Sequence, residues 1–189
     1  MKVLFLDVDG VLNSLRSFCA AQQGQTTFED WIFESADPIA CRLIDRLVNE
    51  YDLKIVVSSS HRQRFFTGRA EHMGVVTDKG ESGLSMARWE HNLLPMQEYF
   101  KKIGLQRADA IISCTPDIDN VTRGQQIQAW LEKHPEVTHY AIIDDNSDMT
   151  EEQLEHHFVH TCMSNGFTFE NYRQIEEIMG DKSPKKNFT

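Results

Sequence analysis

No stretch of this sequence approaches the roughly 18 consecutive apolar residues that a membrane-spanning helix needs, and no span is indicated. Positive charge is also scarce. Against 29 Asp and Glu stand 19 Lys and Arg, a net charge of -10. That balance argues against a broad basic surface for tracking a phosphate backbone, although a local basic pocket remains compatible with it. Cysteine is sparse: Cys19, Cys41, Cys114 and Cys162 form no CxxC pair and have no histidine at zinc spacing beside them. Scattered, buried thiols in a reducing cytoplasm are the expectation, rather than disulfides. Internal repeats, low-complexity blocks and a cleavable signal pattern are missing as well, so the expected location is cytoplasmic.

What remains is ordinary globular composition, 40% hydrophobic and 25% charged, enough for one domain over residues 1–180. The polar run 181–189 reads as a loosely held tail. Strand and helix patterns alternate. A strand from Lys2 to Asp7 precedes an irregular stretch reaching Ala36. "DPIACRLIDRLVNEY" reads as a helix capped by Asp37 with Pro38 at its first position, and Leu43, Ile44, Leu47, Val48 and Tyr51 form its buried stripe. "LKIVVSS" is an unbroken apolar strand suited to a sheet covered on both faces. After the loop-like "GVVTDKGESG" come a helix at "PMQEYFKKIG", a strand at "ADAIISC" and a helix at "TRGQQIQAWLEKH" with Ile127, Trp130 and Leu131 inward. A strand at "HYAIIDD", a capping box at "TEEQ", a short strand at "FVHT" and a helix at "TFENYRQIEEIM" complete the order. This alternation predicts an α/β fold: a Rossmann-like parallel sheet of about five strands with helices on both faces.

Ligands of such sheets bind beyond the carboxyl ends of the strands, where the strand order reverses. Two predicted strands end there in acid pairs: Asp7 and Asp9 in "VLFLDVDGVLN", and Asp144 and Asp145 in "AIIDDNSD". Residues at i and i+2 of a strand share a face, so Asp7 and Asp9 can address one pocket, although Gly10 signals that the chain is turning. Ionised carboxylates gathered in one place are costly without a counter-charge. A hard divalent cation resolves that cost, and oxygen-only ligands point to Mg²⁺. A solvated Asp-Gly turn is the plain alternative.

"VLFLDVDGVLN" resembles the first motif of the haloacid-dehalogenase-like (HAD) phosphohydrolases. Candidates for the other three motifs follow in order: "IVVSSSHR", Arg123 in "TRGQQIQAWL", and "AIIDDNSD". "SSSHR", "RGQQIQAWL" and "HTCMSNGFT" look most like the capless HAD domains of RNA-repair and polynucleotide kinase-phosphatase proteins, except that His61 stands where a tryptophan is usual. The resemblance implies Asp7 as nucleophile, Asp9 as proton donor and acceptor, and Ser59 as a hydrogen-bond donor to the phosphoryl group, with Ser58 the competing assignment. It implies Arg123 as a fixed positive charge there, and Ser60 and Arg62 as further substrate contacts. Mg²⁺ would be held by Asp7, the backbone carbonyl of Asp9 and an acid of the later group. Asp145 is the better candidate for that acid, Asp144 the one that orients neighbours, and Asp148 a further candidate. An acid at the position of Asp9 is expected of phosphatases and absent from dehalogenase-type relatives. The implied partner is a phosphorylated substrate, either a nucleic-acid end, a nucleotide or a small metabolite, with no membrane and no obligate protein partner.

Other residues carry less. His156, His157 and His160 read as helix-end or surface histidines rather than a metal site. Phe18, Phe28, Trp31 and Phe33 read as loop packing rather than a base-stacking platform, and Arg64 as solvated. A receiver-like phospho-acceptor module is the rival from another class. There the acid pair comes early and the acceptor in the middle, whereas here the acceptor candidate comes first. An inactive, partner-binding relative is a further alternative.

Overall fold

The computed structural model describes residues 1–21, 36–60 and 93–180. The apolar run Lys2–Leu6 forms β1, the centre of a five-stranded, wholly parallel sheet. It is flanked by β2 (Leu53–Val57) and β4 (His139–Asp144), with β3 (Ile111–Cys114) outside β2 and β5 (Phe158–His160) outside β4. Because both faces are covered, the central segments 3–6, 55–57 and 141–143 are continuously apolar. Their residues divide by alternation. Leu4, Leu6, Ile55, Val57, Ala141 and Ile143 join one core cluster, whereas Val3, Phe5, Val56 and Ile142 join a second.

Helices α2 (Pro38–Tyr51), α3 (Leu94–Lys102) and α6 (Phe169–Met179) supply the first cluster, and α4 (Arg123–Leu131) supplies the second through Ile127 and Trp130. Helix α5 (Glu151–His156) leads into β5. The caps follow local chemistry. The Asp37 carboxylate accepts the Ile39 N–H at 2.8 Å, and Asp52 ends α2 in the left-handed region at φ 50°. Thr122, Thr150 and Thr168 each close a capping box with a side chain three residues on.

Two local expectations need correction. The stretch before Ala36, read as irregular, contains helix α1 (Leu15–Ala21). Its start is fastened by two hydroxyls: Ser17 N–H donates to Ser14 Oγ at 3.2 Å, and Ser14 N–H to Ser17 Oγ at 2.9 Å. This reciprocal pairing lacks the glutamate or glutamine that usually reveals such a start in sequence. The strand expected from Ala108 begins only at Ile111, after a 3₁₀ turn at Ala108–Ala110. The buried Asp45 carboxylate holds that approach by accepting the N–H groups of Gln106 and Arg107 at 3.0 and 2.7 Å. The cysteines also differ from expectation. None of the four forms a disulfide, but only Cys41 is buried, and Cys19 and Cys162 are exposed.

The strand order β3-β2-β1-β4-β5 runs outward from β1 in one direction, then returns through α4 to β4 on its other side. The reversal therefore lies between β1 and β4, and their carboxyl ends frame the crevice where such sheets bind ligands. Among the described residues, no helix is long and apolar enough to cross a membrane.

Candidate active site

Strand register assembles the site. Leu6 pairs with Val57 on one side and Ile143 on the other, so Asp7, Ser58 and Asp144 follow at one level across three strands. The ladder extends to them: Asp7 N–H donates to Ile143 O at 3.1 Å, and Ser58 N–H to Leu6 O at 2.8 Å. Leu6, Val57 and Ile143 all belong to the first core cluster. By alternation, the residues after them turn to the opposite face, where α4 begins.

Arg123 is the first residue of α4 and joins the three strand ends. Its Nη1 lies 3.0 Å from Asp144 Oδ2 and 3.3 Å from Asp7 Oδ1, and it donates to the Ser58 carbonyl. Burial opposes the guanidinium's charge, but Asp7 and then Asp144 outweigh it and hold its pKa above the ordinary arginine value. Asp7 Oδ1 also accepts the Val8 N–H at 2.7 Å.

Asp144 is fully buried, and its Oδ1 accepts the Asn146 N–H at 2.9 Å. Its Oδ2 has the charge of Arg123 nearby but no hydrogen-bond donor in line. Burial, reinforced by Asp7, pushes this carboxyl up to about 8 despite the pull of Arg123. The half-buried Asp145 is raised too, by burial and then by Asp7, with Asp9 adding to the effect.

Asp7, Asp144 and Asp145 each offer a carboxylate oxygen, all within 4.8 Å of one another. The sequence predicts that Asp144 and Asp145 point to opposite sides of a regular strand. Instead β4 ends at Asp144, the chain turns, and both acids reach the same space. Gly10 makes room for this. Its φ is +67°, and a Cβ there would lie 2.5 Å from the Asp145 carboxylate carbon. Three convergent carboxylates, one with a buried oxygen lacking a hydrogen bond, fit a hard divalent cation with oxygen ligands.

Asp148 does not join that group. Its Oδ2 accepts the Arg123 backbone N–H at 3.1 Å, so it caps α4 rather than contributing to the cluster. The side chain of Asp9 is also outside the cluster. Its Oδ1 accepts from Asn13 Nδ2 at 2.9 Å. The Ser58 hydroxyl is buried without a hydrogen-bond partner, level with Asp7, while Ser59 is fully buried and Ser60 is exposed. Arg62, Arg64, Phe28, Trp31 and Phe33 lie outside the described residues, and Phe18 is half-buried on α1. The histidines are engaged separately. His157 stacks on Tyr140 and contacts Tyr140 O and Glu152, and His160 Nε2 contacts Asp145 O at 3.0 Å.

Two residues that sequence reasoning passed over complete the frame. Asn13 buttresses the first acid loop. Gly124 allows α4 to start against the next helix, because a Cβ there would lie 2.5 Å from Gln153 Oε1 and 2.7 Å from Met149 Cα. A glycine directly after the arginine, within an otherwise good helix pattern, was the available signal for the second.

Residues 3–79 and 85–172 match the family described as the HAD domain in Swiss Army Knife RNA repair proteins. No curated protein and no solved structure matches the chain. The match covers both acid segments, the serines and the arginine whose side chains or backbone meet at the β1–β4 crevice. With the five-stranded parallel sheet and this extent of agreement, the chain belongs to the HAD domains of Swiss Army Knife RNA repair proteins.

Proposed function

We propose that the protein hydrolyses phosphate monoesters with Mg²⁺, and that its substrate is the phosphorylated end of an RNA. The observation that carries the catalytic part is the convergence of Asp7, Asp144 and Asp145 at the sheet's reversal point, with Arg123 against two of them. The family's place in RNA repair supports the substrate. The net charge of -10 favours recognition of a terminus over tracking along a strand.

In this reading Asp7 attacks phosphorus in line. Its Oδ1 is engaged by the Val8 N–H and faces Arg123, so the attacking atom is assigned as Oδ2. The phosphorus–oxygen ester bond breaks, and the departing oxygen takes a proton from Asp9. Asp9 then removes a proton from the water that opens the aspartyl-phosphate, releasing inorganic phosphate and restoring Asp7. Arg123 neutralises a phosphoryl oxygen, and the Ser58 hydroxyl donates to another in preference to Ser59, since it is the one without a partner. Mg²⁺ would be held by Asp7, Asp144 and Asp145 and would supply charge neutralisation for the phosphoryl group.

Phosphate release from p-nitrophenyl phosphate, with Mg²⁺ or EDTA, tests the chemistry. The expected result is Mg²⁺-dependent turnover, abolished by Asp7→Asn and lowered about 100-fold or more by Asp9→Asn. A stable phosphoenzyme without phosphate release would instead identify a phospho-acceptor module. Comparing 3′- and 5′-phosphorylated oligoribonucleotides with nucleotides and sugar phosphates tests the substrate. Preference for a free nucleotide or sugar phosphate would overturn the RNA-end assignment alone.

A further inference from the structure

The loop after β1 contains a buried amide whose two ends are both committed. Asn13 is 1% exposed. Its Oδ1 accepts the Gly10 N–H at 3.1 Å, and its Nδ2 donates to Asp9 Oδ1 at 2.9 Å. The amide's orientation is unambiguous. A backbone N–H requires an acceptor and a carboxylate oxygen accepts, so only one way round satisfies both contacts.

The backbone carrying this amide is itself held. Asn13 N–H donates to Val8 O at 3.2 Å, and bridges link Asn13 to Asp9 and to Ala36. The preceding carbonyls are fastened from outside: Leu12 O accepts the Asp37 N–H at 2.7 Å, and Val11 O accepts the Phe167 N–H at 2.8 Å. Asn13 is therefore a rigid support, and the partly buried Asp9 carboxylate rests on it through Oδ1.

We propose that Asn13 is a positioning residue for Asp9, presenting its carboxyl so that Oδ1 receives the amide hydrogen and Oδ2 carries the transferable proton. The proposal rests on the reading of Asp9 as proton donor to the departing oxygen. Its value to the reaction depends on the leaving group. A nitrophenolate departs with little help, whereas a more basic oxygen such as phenolate, or the alkoxide of a sugar hydroxyl, requires the proton in the transition state. Asn13 thereby suits the site to esters of poor leaving groups.

The test compares p-nitrophenyl phosphate with phenyl phosphate, two esters of nearly the same shape. Asn13→Asp keeps an acceptor for Gly10 N–H but replaces the donor facing Asp9 with an oxygen. The loss of kcat/KM, which reports only the steps through departure of the leaving group, should be about tenfold or more larger on phenyl phosphate than on p-nitrophenyl phosphate. In an Asp9→Asn background the same substitution should cost less than about twofold, because its partner's function is already gone. Asn13→Ala removes the donor without adding charge and carries the same comparison should the aspartate variant fold poorly by its melting curve. Equal losses on both esters, or an undiminished cost in the Asp9→Asn background, would show Asn13 to be merely structural. Wild-type protein that cleaves neither ester would overturn the phosphatase reading and this inference with it. An active wild type with an unchanged ester ratio removes the inference alone.

Discussion

Asp144 ties stability to pH in a direction opposite to that of most acids. Its carboxyl ordinarily titrates at 3.8 and is pushed up to about 8 in the fold by burial, then by Asp7, against the opposing pull of Arg123. Between those values the native chain retains a proton that the unfolded chain has released. Stability from this group is therefore lost as pH rises through that window, and the loss is complete above about pH 8. At about 1.4 kcal/mol per pH unit, a rise from about pH 6 to about pH 7.5 removes about 2 kcal/mol. For a chain of this length that corresponds to about 4–8 °C in melting temperature.

Asp144→Asn isolates the effect, because the amide preserves shape and the acceptor for the Asn146 N–H while removing the titration. Thermal melts in EDTA, followed by circular dichroism, should show the variant gaining about 4–8 °C on the wild type between those pH values. Mg²⁺ should stabilise the wild type increasingly as pH rises, since binding requires the deprotonated ligand, and should stabilise the variant much less. Melting curves that stay parallel from about pH 5 to about pH 8, or diverge with the wild type gaining, would refute the account of this buried acid.

Two further substitutions probe the frame around the acids. Gly10→Ala places a Cβ 2.5 Å from the Asp145 carboxylate carbon at φ +67°, so it should weaken the Mg²⁺ dependence of phosphate release about tenfold and lower the melting temperature; a wild-type Mg²⁺ midpoint would contradict this. Asp148→Ala removes the acceptor of the Arg123 N–H and should cost about 1 kcal/mol of stability, read as about 2–4 °C in melting temperature, together with a fall in kcat as the start of α4 loosens.

The sheet was legible because the segments buried on both faces are continuously apolar, and because Asp37-Pro38 and Thr150-Glu-Glu-Gln153 are strong helix-start signals. Helix α1 was not, since its seven residues begin with a serine pair rather than a familiar capping box. The acid pair after β4 was legible as a pair, but its geometry was not. Alternation predicts divergence only while a strand continues, and Asp145 lies just beyond the end of this one. Asn13 passed unnoticed because an asparagine after Asp-Gly reads as turn chemistry, and nothing local reveals that its side chain reaches back to an acid four residues earlier.

The position of Arg123 shows why the late acid loop must be considered as a unit. A cation at the first residue of a helix opposes the helix dipole and should be disfavoured there. Asp148 changes the balance. Its carboxylate accepts the Arg123 N–H, putting negative charge where the dipole favours it, and its backbone carbonyl accepts the Gly124 N–H at 3.1 Å. The guanidinium meanwhile extends to Asp7, Asp144 and the Ser58 carbonyl. Asp144 and Asp148, four residues apart, thus serve opposite ends of one arginine. A change in the length of that loop would separate the helix cap from the strand-end acid, moving the cation off the site even with every charged residue retained.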